Sequence, residues 1–206
     1  MESETPTRRG RPRRYDPQVA LERARDAFWR GGYAATSLDD LAAAMGMNRP
    51  SIYAGFGDKR ALYAAAVARY AADSRAALAE ELAKPRSLRA GLRAVYEGAR
   101  KFYLAGDDAP RGCFLVGTAV TEATHDDRVR AIVDLTFDAF TELFAERFER
   151  AARDGELSSA AAPRALAEIA TATLNIIALR ARTGAKAEVL SALIDATVDV
   201  VCGREA

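Results

Sequence analysis

Residues 35–63 read ATSLDDLAAAMGMNRPSIYAGFGDKRALY, and the fold is decided there. Ser37 is a strong N-cap residue, and Asp40 falls where it closes a capping box. Leu38, Leu41, Ala42 and Met45 follow at i, i+3, i+4 and i+7, the spacing of one helical face. Gly46 stops that helix after a few turns. Asn48 caps a third short helix that tolerates Pro50 in its first turn, with Ile52, Tyr53 and Phe56 as inward anchors. Gly57-Asp58 breaks the chain again, and a long helix runs from Lys59 to about Ala83, closed by Lys84-Pro85. The tight Gly46-Met47 break lays the third helix across the second and leaves one face free for a DNA major groove.

Upstream, Asp16 and Pro17 serve as N-cap and first residue of helix one, which carries Leu21, Ala24 and Phe28 on one side. Gly31-Gly32 end it. Downstream, Leu88 to Ala105 reads as a helix, GDDAPRG as a loop, Cys113 to Ala123 as a short helix, and Asp126 to about Arg153 as a long one. After a Ser/Ala-rich loop, Pro163 starts a helix reaching about Arg182, and Ala185 to Cys202 forms the last. The expected fold is all-α: a three-helix helix-turn-helix domain and a larger helical domain for ligand binding and dimerisation. The domains divide as a basic arm at 1–13, a DNA-binding domain at 14–74 and a C-terminal domain at 75–206.

Half of the 206 residues are apolar, and Ala and Leu dominate them, which favours helices over sheet. No apolar run approaches the roughly 20 residues of a membrane helix, and no hydrophobic stretch follows the N-terminal charges as in a secretory signal. Cys113 and Cys202, far apart, make neither a disulfide framework nor a zinc site, so a reducing cytoplasm is the expected setting. The net charge of +1 hides an uneven distribution: residues 1–62 carry 11 Arg/Lys against 8 Asp/Glu. Arg8, Arg9, Arg11, Arg13 and Arg14 crowd the opening arm, which points to nucleic acid or another anionic surface. With one histidine, His125, and no Ser-His-Asp set, phosphate loop or HExxH, an enzyme lacks its machinery, and no cofactor or metal is expected. A purely architectural DNA binder would have no use for the large apolar second domain.

On the third helix, Asn48, Arg49, Ser51 and Ala54 face the groove. Arg49 can fork onto a guanine edge or a phosphate. Lys59 puts a cation beside the free N–H groups of a helix start, a phosphate-binding arrangement. With these residues in place, the stretch resembles the signature of the TetR family of bacterial repressors. Its marks here are Thr36, Ser37, Leu38, Gly46, Asn48, Arg49, Pro50, Ser51, Ile52, Tyr53, Phe56 and Lys59, and the match covers roughly residues 14–74. The resemblance implies a homodimer that binds palindromic operator DNA and is released by a small molecule. It also implies that Thr36, Ser37, Arg49, Ser51, Tyr53 and Lys59 hold DNA, mainly by phosphates. Ala54 departs from the family's frequent polar residue and leaves at most a thymine-methyl contact there. RGRPRRYD resembles the arm of some members and an AT-hook, with Arg11 and Arg13 suited to a narrow A·T groove; a solubilising tail is the alternative.

Beyond residue 63 the resemblance lies in layout and in RGCFLVGTAVTEA, which is similar to the short helix under the family's ligand cavity. Val129, Val133, Phe137, Phe140, Phe144 and Phe148 form a stripe on the seventh helix, widened by Ile132, Leu135 and Leu143; such a stripe is core, with some rings lining a cavity. The last two helices are apolar on more than one face, so each needs core on one side and a partner subunit on the other. Asn175, among apolar neighbours, pairs across the dimer, bonds within its chain or touches a ligand. Tyr96, Tyr103, Cys113, Thr118 and Phe137 complete the candidate ligand set. Cys113 starts a helix, where free N–H groups lower a thiol pKa; a redox or metal sensor and a buried inert thiol are the two readings.

Overall fold

The computed structural model describes residues 15–106, 109–158 and 162–203, so Arg11 and Arg13 lie outside the described residues. Within them the chain is helical and carries no strand. Asp16 caps α1 (Pro17–Ala35) by accepting from the Gln18 and Val19 amides. The helical path breaks at Gly32, as expected, but one further turn carries the element on to Ala35. Gly32 takes a φ of 76°, and the Thr36 hydroxyl donates to its carbonyl at 2.7 Å. A Cβ on Gly31 would come within 2.9 Å of that hydroxyl, so both glycines serve the junction.

The capping box on α2 (Leu38–Met45) forms as the sequence predicts, with Ser37 and Asp40 satisfying each other's amides. Gly46 ends α2 in the left-handed region, φ 64°, where a side chain is strained. Asn48 caps α3 (Arg49–Phe56), and Asp58 caps α4 (Lys59–Ala83). Then come α5 (Leu88–Leu104) and α6, a π-helical stretch Leu115–Ala119 that runs on as Val120–Glu122. The chain closes with α7 (Asp127–Arg153), α8 (Pro163–Arg182) and α9 (Ala187–Cys202). The wide turn in α6 is not expected from a run of ordinary helix formers. The 74/75 division falls inside α4, which therefore belongs to both ends of the molecule.

Ala24, Phe28, Leu41, Ile52 and Leu62 are fully buried and bind α1 to α4 together. A ladder of rings continues from there: Phe28 meets Tyr63 edge-on at 4.9 Å, and Trp29 meets Tyr70 at 5.0 Å and Phe114 at 5.6 Å. The larger core follows, with Phe144 and Phe148 of α7 buried against α5 and α8. Thr141 bonds Thr171, and Tyr96 donates to the Ala170 carbonyl, so these polar groups in the core find partners. Arg147 is also buried, with one nitrogen shared between the Arg86 carbonyl and Glu156, tying the end of α7 to the α4–α5 link.

The expected stripe on α7 is core except at Leu135, which points outward at 69% exposure, while Phe137 is half-buried. On α8 and α9 the chain's own core takes only one face. Leu174, Ile177, Leu190, Ile194, Val198 and Val201 face inward. Ile169, Ile176 and Leu179 on α8, with Val189 and Val200 on α9, remain exposed.

Candidate functional site

Two candidate surfaces emerge, one at each end of α4. At the first, Ser37, Asn48, Arg49, Ser51 and Tyr53 gather around the α2–α3 turn, and Lys59 stands at the start of α4. Asn48, Arg49, Tyr53 and Ala54 are exposed, and Ser51 is half-buried. Thr36 does not join them as a side chain: it is 4% exposed and its hydroxyl is committed to Gly32. Its role is to close the α1–α2 junction, a correction to its reading as a phosphate donor. The Asn48 amide oxygen is taken by the Ser51 amide at 2.9 Å, which leaves its NH2 group to reach outward.

Arg49 has a neighbour that the sequence does not suggest. Its guanidinium forks onto Asp39 of α2, with Nε donating at 2.7 Å and Nη2 donating to the second carboxylate oxygen. Hydrogen bonding from Arg49 holds the Asp39 carboxyl below its usual range. Both side chains are well exposed, so solvent screens the pair and DNA can displace it readily. Lys59 lies over the Tyr33 ring, its Nζ 4.4 Å from the centroid. The Tyr15 hydroxyl crowds the space above Gly55, and its ring lies 6.3 Å from Phe56. The chain thus enters α1 directly beside the third helix.

The second surface is a cavity of about 480 Å³ among α1, α4, α5, α7 and α8, a size suited to a small molecule. Rings of Trp29, Tyr70, Phe102, Tyr103 and Phe140 wall it. A second cavity, of about 410 Å³, adjoins it beside the loop before α6 and shares Trp29 and Arg111. Trp29 donates from Nε1 to the Arg111 carbonyl at 2.9 Å, and Arg182 donates to that carbonyl and to the Trp29 carbonyl. Helix one of the DNA-binding end is thereby a wall of both cavities.

Of the six candidate ligand residues, only Tyr103 lines the larger cavity. Tyr96 is buried behind it on the Ala170 carbonyl. Thr118 accepts from the Tyr63 hydroxyl and donates to the Phe114 carbonyl, so it is structural. Phe137 is half-buried away from the wall. Asn175 is half-buried beside the exposed stripe of α8, and its side-chain amide makes no hydrogen bond among the described residues. Cys113 is buried behind Tyr70, whose hydroxyl donates to its Sγ at 3.4 Å. Burial pushes the thiol pKa up, outweighing the Tyr70 hydroxyl and the nearby amides that would lower it. Trp29, Tyr70 and Phe102 escape sequence reasoning because each reads as core in its own helix. Arg111 sits in a loop that carries no periodic signal.

A two-helix groove reader with a tight αL turn, set on a helical domain with a cavity, defines a helix-turn-helix transcriptional regulator. The matches to known proteins sharpen this. Residues 20–66 match the family described as bacterial regulatory proteins, tetR family, and residues 88–197 match the tetracyclin repressor-like C-terminal domain. The chain belongs to the TetR family of bacterial transcriptional regulators. Its work is therefore DNA binding and not catalysis. The HTH-type transcriptional repressor ComR of Escherichia coli (strain K12) is 32% identical over 194 residues, covering 92% of this chain and 90% of ComR. YezE of Bacillus subtilis (strain 168), described as an uncharacterized HTH-type regulator, is 30% identical over 150 residues, covering 72% and 76%. A cysteine mutant of the TetR-family regulator CifR, solved on 26-bp double-strand operator DNA, superposes with a TM-score of 0.80 at 32% identity, covering 91% of this chain and 98% of that one. Among the described residues no helix is long and apolar enough to cross a membrane.

Proposed function

We propose that the chain is a homodimeric repressor in the cytoplasm, bound to a palindromic operator and released from it by a small molecule. One observation carries the coupling: Arg25 and Trp29 of α1 form part of the cavity wall, so a ligand there touches the DNA-binding end directly. α4 reaches the same wall through Tyr70 and begins at Lys59 on the DNA face. Its 25 residues span about 37 Å, enough to act as a lever between the two surfaces. A ligand that prefers a tilted lever shifts the dimer towards that state by its differential affinity and no further. The changed spacing of the two third helices then fails to match half-sites about one DNA turn apart. The operator complex of CifR and the repressor ComR support the DNA partner and the sign of regulation.

Coupling of this kind is reciprocal. Operator DNA is expected to weaken binding of the true inducer by the factor by which inducer weakens DNA binding. Calorimetry with and without DNA, set against DNA titrations with and without inducer, checks the equality. Unequal factors, or release through dissociation of the dimer, would contradict the lever.

The DNA face is proposed to work through Ser37, Asn48, Arg49, Ser51, Tyr53 and Lys59, with Arg11 and Arg13 of the arm adding minor-groove contacts. Arg49→Ala is expected to weaken operator binding and relax preference at one position, by about 1–3 kcal/mol for a base contact. Lys59→Ala should weaken all sequences alike and reduce the salt dependence by about one phosphate. Asp39→Asn removes a negative charge from the groove face and frees the Arg49 fork, so its affinity should rise for operator and scrambled DNA together. Titrations at several salt concentrations on both DNAs separate the three variants. Indistinguishable behaviour of the Arg49 and Lys59 variants would remove the division of labour between them.

A further inference from the structure

The chemistry of the two adjoining cavities specifies a class of ligand, given that this is the ligand site of the regulator proposed above. Four charged side chains reach the larger one: Arg25, Asp73, Glu81 and Arg111. Three have their charge answered within the chain. Arg25 pairs with Asp26 at 2.9 Å, Asp73 with Arg69 at 2.9 Å, and Glu81 with Lys84 and Arg86. Arg111 has no carboxylate partner among the described residues; its guanidinium lies 5.7 Å from the centre of the Trp29 ring. In the smaller cavity, among the described residues, Asp26 is the one acid on the wall, already held by Arg25, beside Arg30, Arg111 and Arg182. Arg182 donates to the carbonyls of Arg111 and Trp29 and has no carboxylate partner among the described residues.

Among the described residues, guanidinium charge thus exceeds carboxylate charge beside this pocket of rings. Partly buried cations are stabilised by an anion, and the planar Arg fork matches a carboxylate or a similar acid. The rings offer flat apolar faces on the other side. We infer that the site takes an aromatic organic anion, its flat body among Trp29, Tyr70 and Phe102 and its acid group on Arg111. The acid would then bear on the residue whose backbone carbonyl holds Trp29 and Arg182, the knot joining α1 to α8.

Trp29 is the only tryptophan of the chain, so its emission reports on this site alone. Naphthoate and naphthamide have the same rings and differ in charge, which makes them a matched pair of probes for the full-length protein. Naphthoate is expected to change the Trp29 emission saturably and to bind about tenfold or more tightly than naphthamide. In Arg111→Gln that preference should vanish, with naphthoate falling to the affinity of the amide. Equal affinity for the two probes, a preference that survives in Arg111→Gln, or no saturable response to naphthoate at millimolar concentration overturns the assignment. The comparison on the unaltered chain needs no variant, so a misfolded Arg111→Gln does not shield the inference. Operator binding is measured on the same samples: a chain that binds operator but prefers naphthamide refutes the ligand class and leaves the regulator standing. One that prefers naphthoate but binds no operator does the reverse.

Discussion

Ile176→Asp is expected to turn the protein into a folded monomer that has lost most of its operator affinity. Ile176 and Leu179 are 38% and 47% exposed on a stripe with Ile169. Ala165 and Ala172 extend that stripe on α8, and Val189, Ala192, Ala196 and Val200 repeat the pattern on α9. Paired across a two-fold axis, these faces would make a four-helix interface, and the axis would present each substitution twice. An uncompensated carboxylate buried in such an interface costs several kcal/mol, enough to weaken the dimer about a thousandfold or more. Each subunit would keep its own core, because Ile176 contributes little to it. Losing the second DNA-binding domain removes the avidity of two linked half-sites, about a hundredfold or more. Sedimentation at micromolar concentration, far-UV circular dichroism and operator titration read the three outcomes. A wild-type monomer, or a variant that remains dimeric, would sink the proposed interface. Val198, on α9, does not serve this test: it is fully buried in the chain's own core, so an Asp there attacks folding.

Gly112→Ala should lower stability by about 2–4 kcal/mol and the melting temperature by roughly 5–15 °C. Two effects add. Gly112 has a φ of 64°, a conformation that strains any L side chain, and an added Cβ would lie 2.8 Å from the Arg182 Cβ and 3.0 Å from the Ala178 carbonyl. The backbone of α8 cannot yield as a side-chain tip can. Gly155 supplies the control, since its φ of 77° is similar but nothing lies within 4 Å of an added Cβ. Gly155→Ala should carry the conformational strain alone, about 1–2 kcal/mol. Thermal melts of the two variants side by side measure the difference. Equal losses would mean that the loop moves away from α8 easily, and that the Trp29–Arg111–Arg182 knot holds loosely. Because that knot joins α1 to the cavity, Gly112→Ala should also blunt the effect of a ligand on DNA binding.

The two variants mark the division between what the sequence makes legible and what it does not. The apolarity of α8 and α9 on two sides requires a core and a partner, and periodicity alone cannot say which side meets which. Only the packing of α5 and α7 against them sends Ile177 and Val198 inward and leaves Ile176 outward. By contrast, the Ser37 and Asp40 capping box, the Asn48 cap and the left-handed Gly46 follow from side chains within a few residues of the backbone groups they satisfy. That is why the helix-turn-helix can be placed from local sequence alone. The Asp39–Arg49 pair crosses two helices, and nothing near either residue announces it.

By itself, then, the sequence determined the helices, their caps and the groove-reading turn, because these rest on local hydrogen bonds and a period of 3.6 residues. It also determined the family, through a run of residues that those local constraints and a DNA surface jointly demand. The tertiary structure alone decided the cavity proposed to take the ligand. Trp29, Tyr70, Phe102 and Arg111 come from four separate segments, and each in isolation reads as ordinary core or ordinary loop. Whether a ring fills a core or lines a cavity depends on atoms brought from elsewhere in the chain. Tyr103 reached the wall and Tyr96 did not, although the two share one side of α5, because they stand about two turns, roughly 10 Å, apart along it and Tyr96 is packed on the Ala170 carbonyl instead.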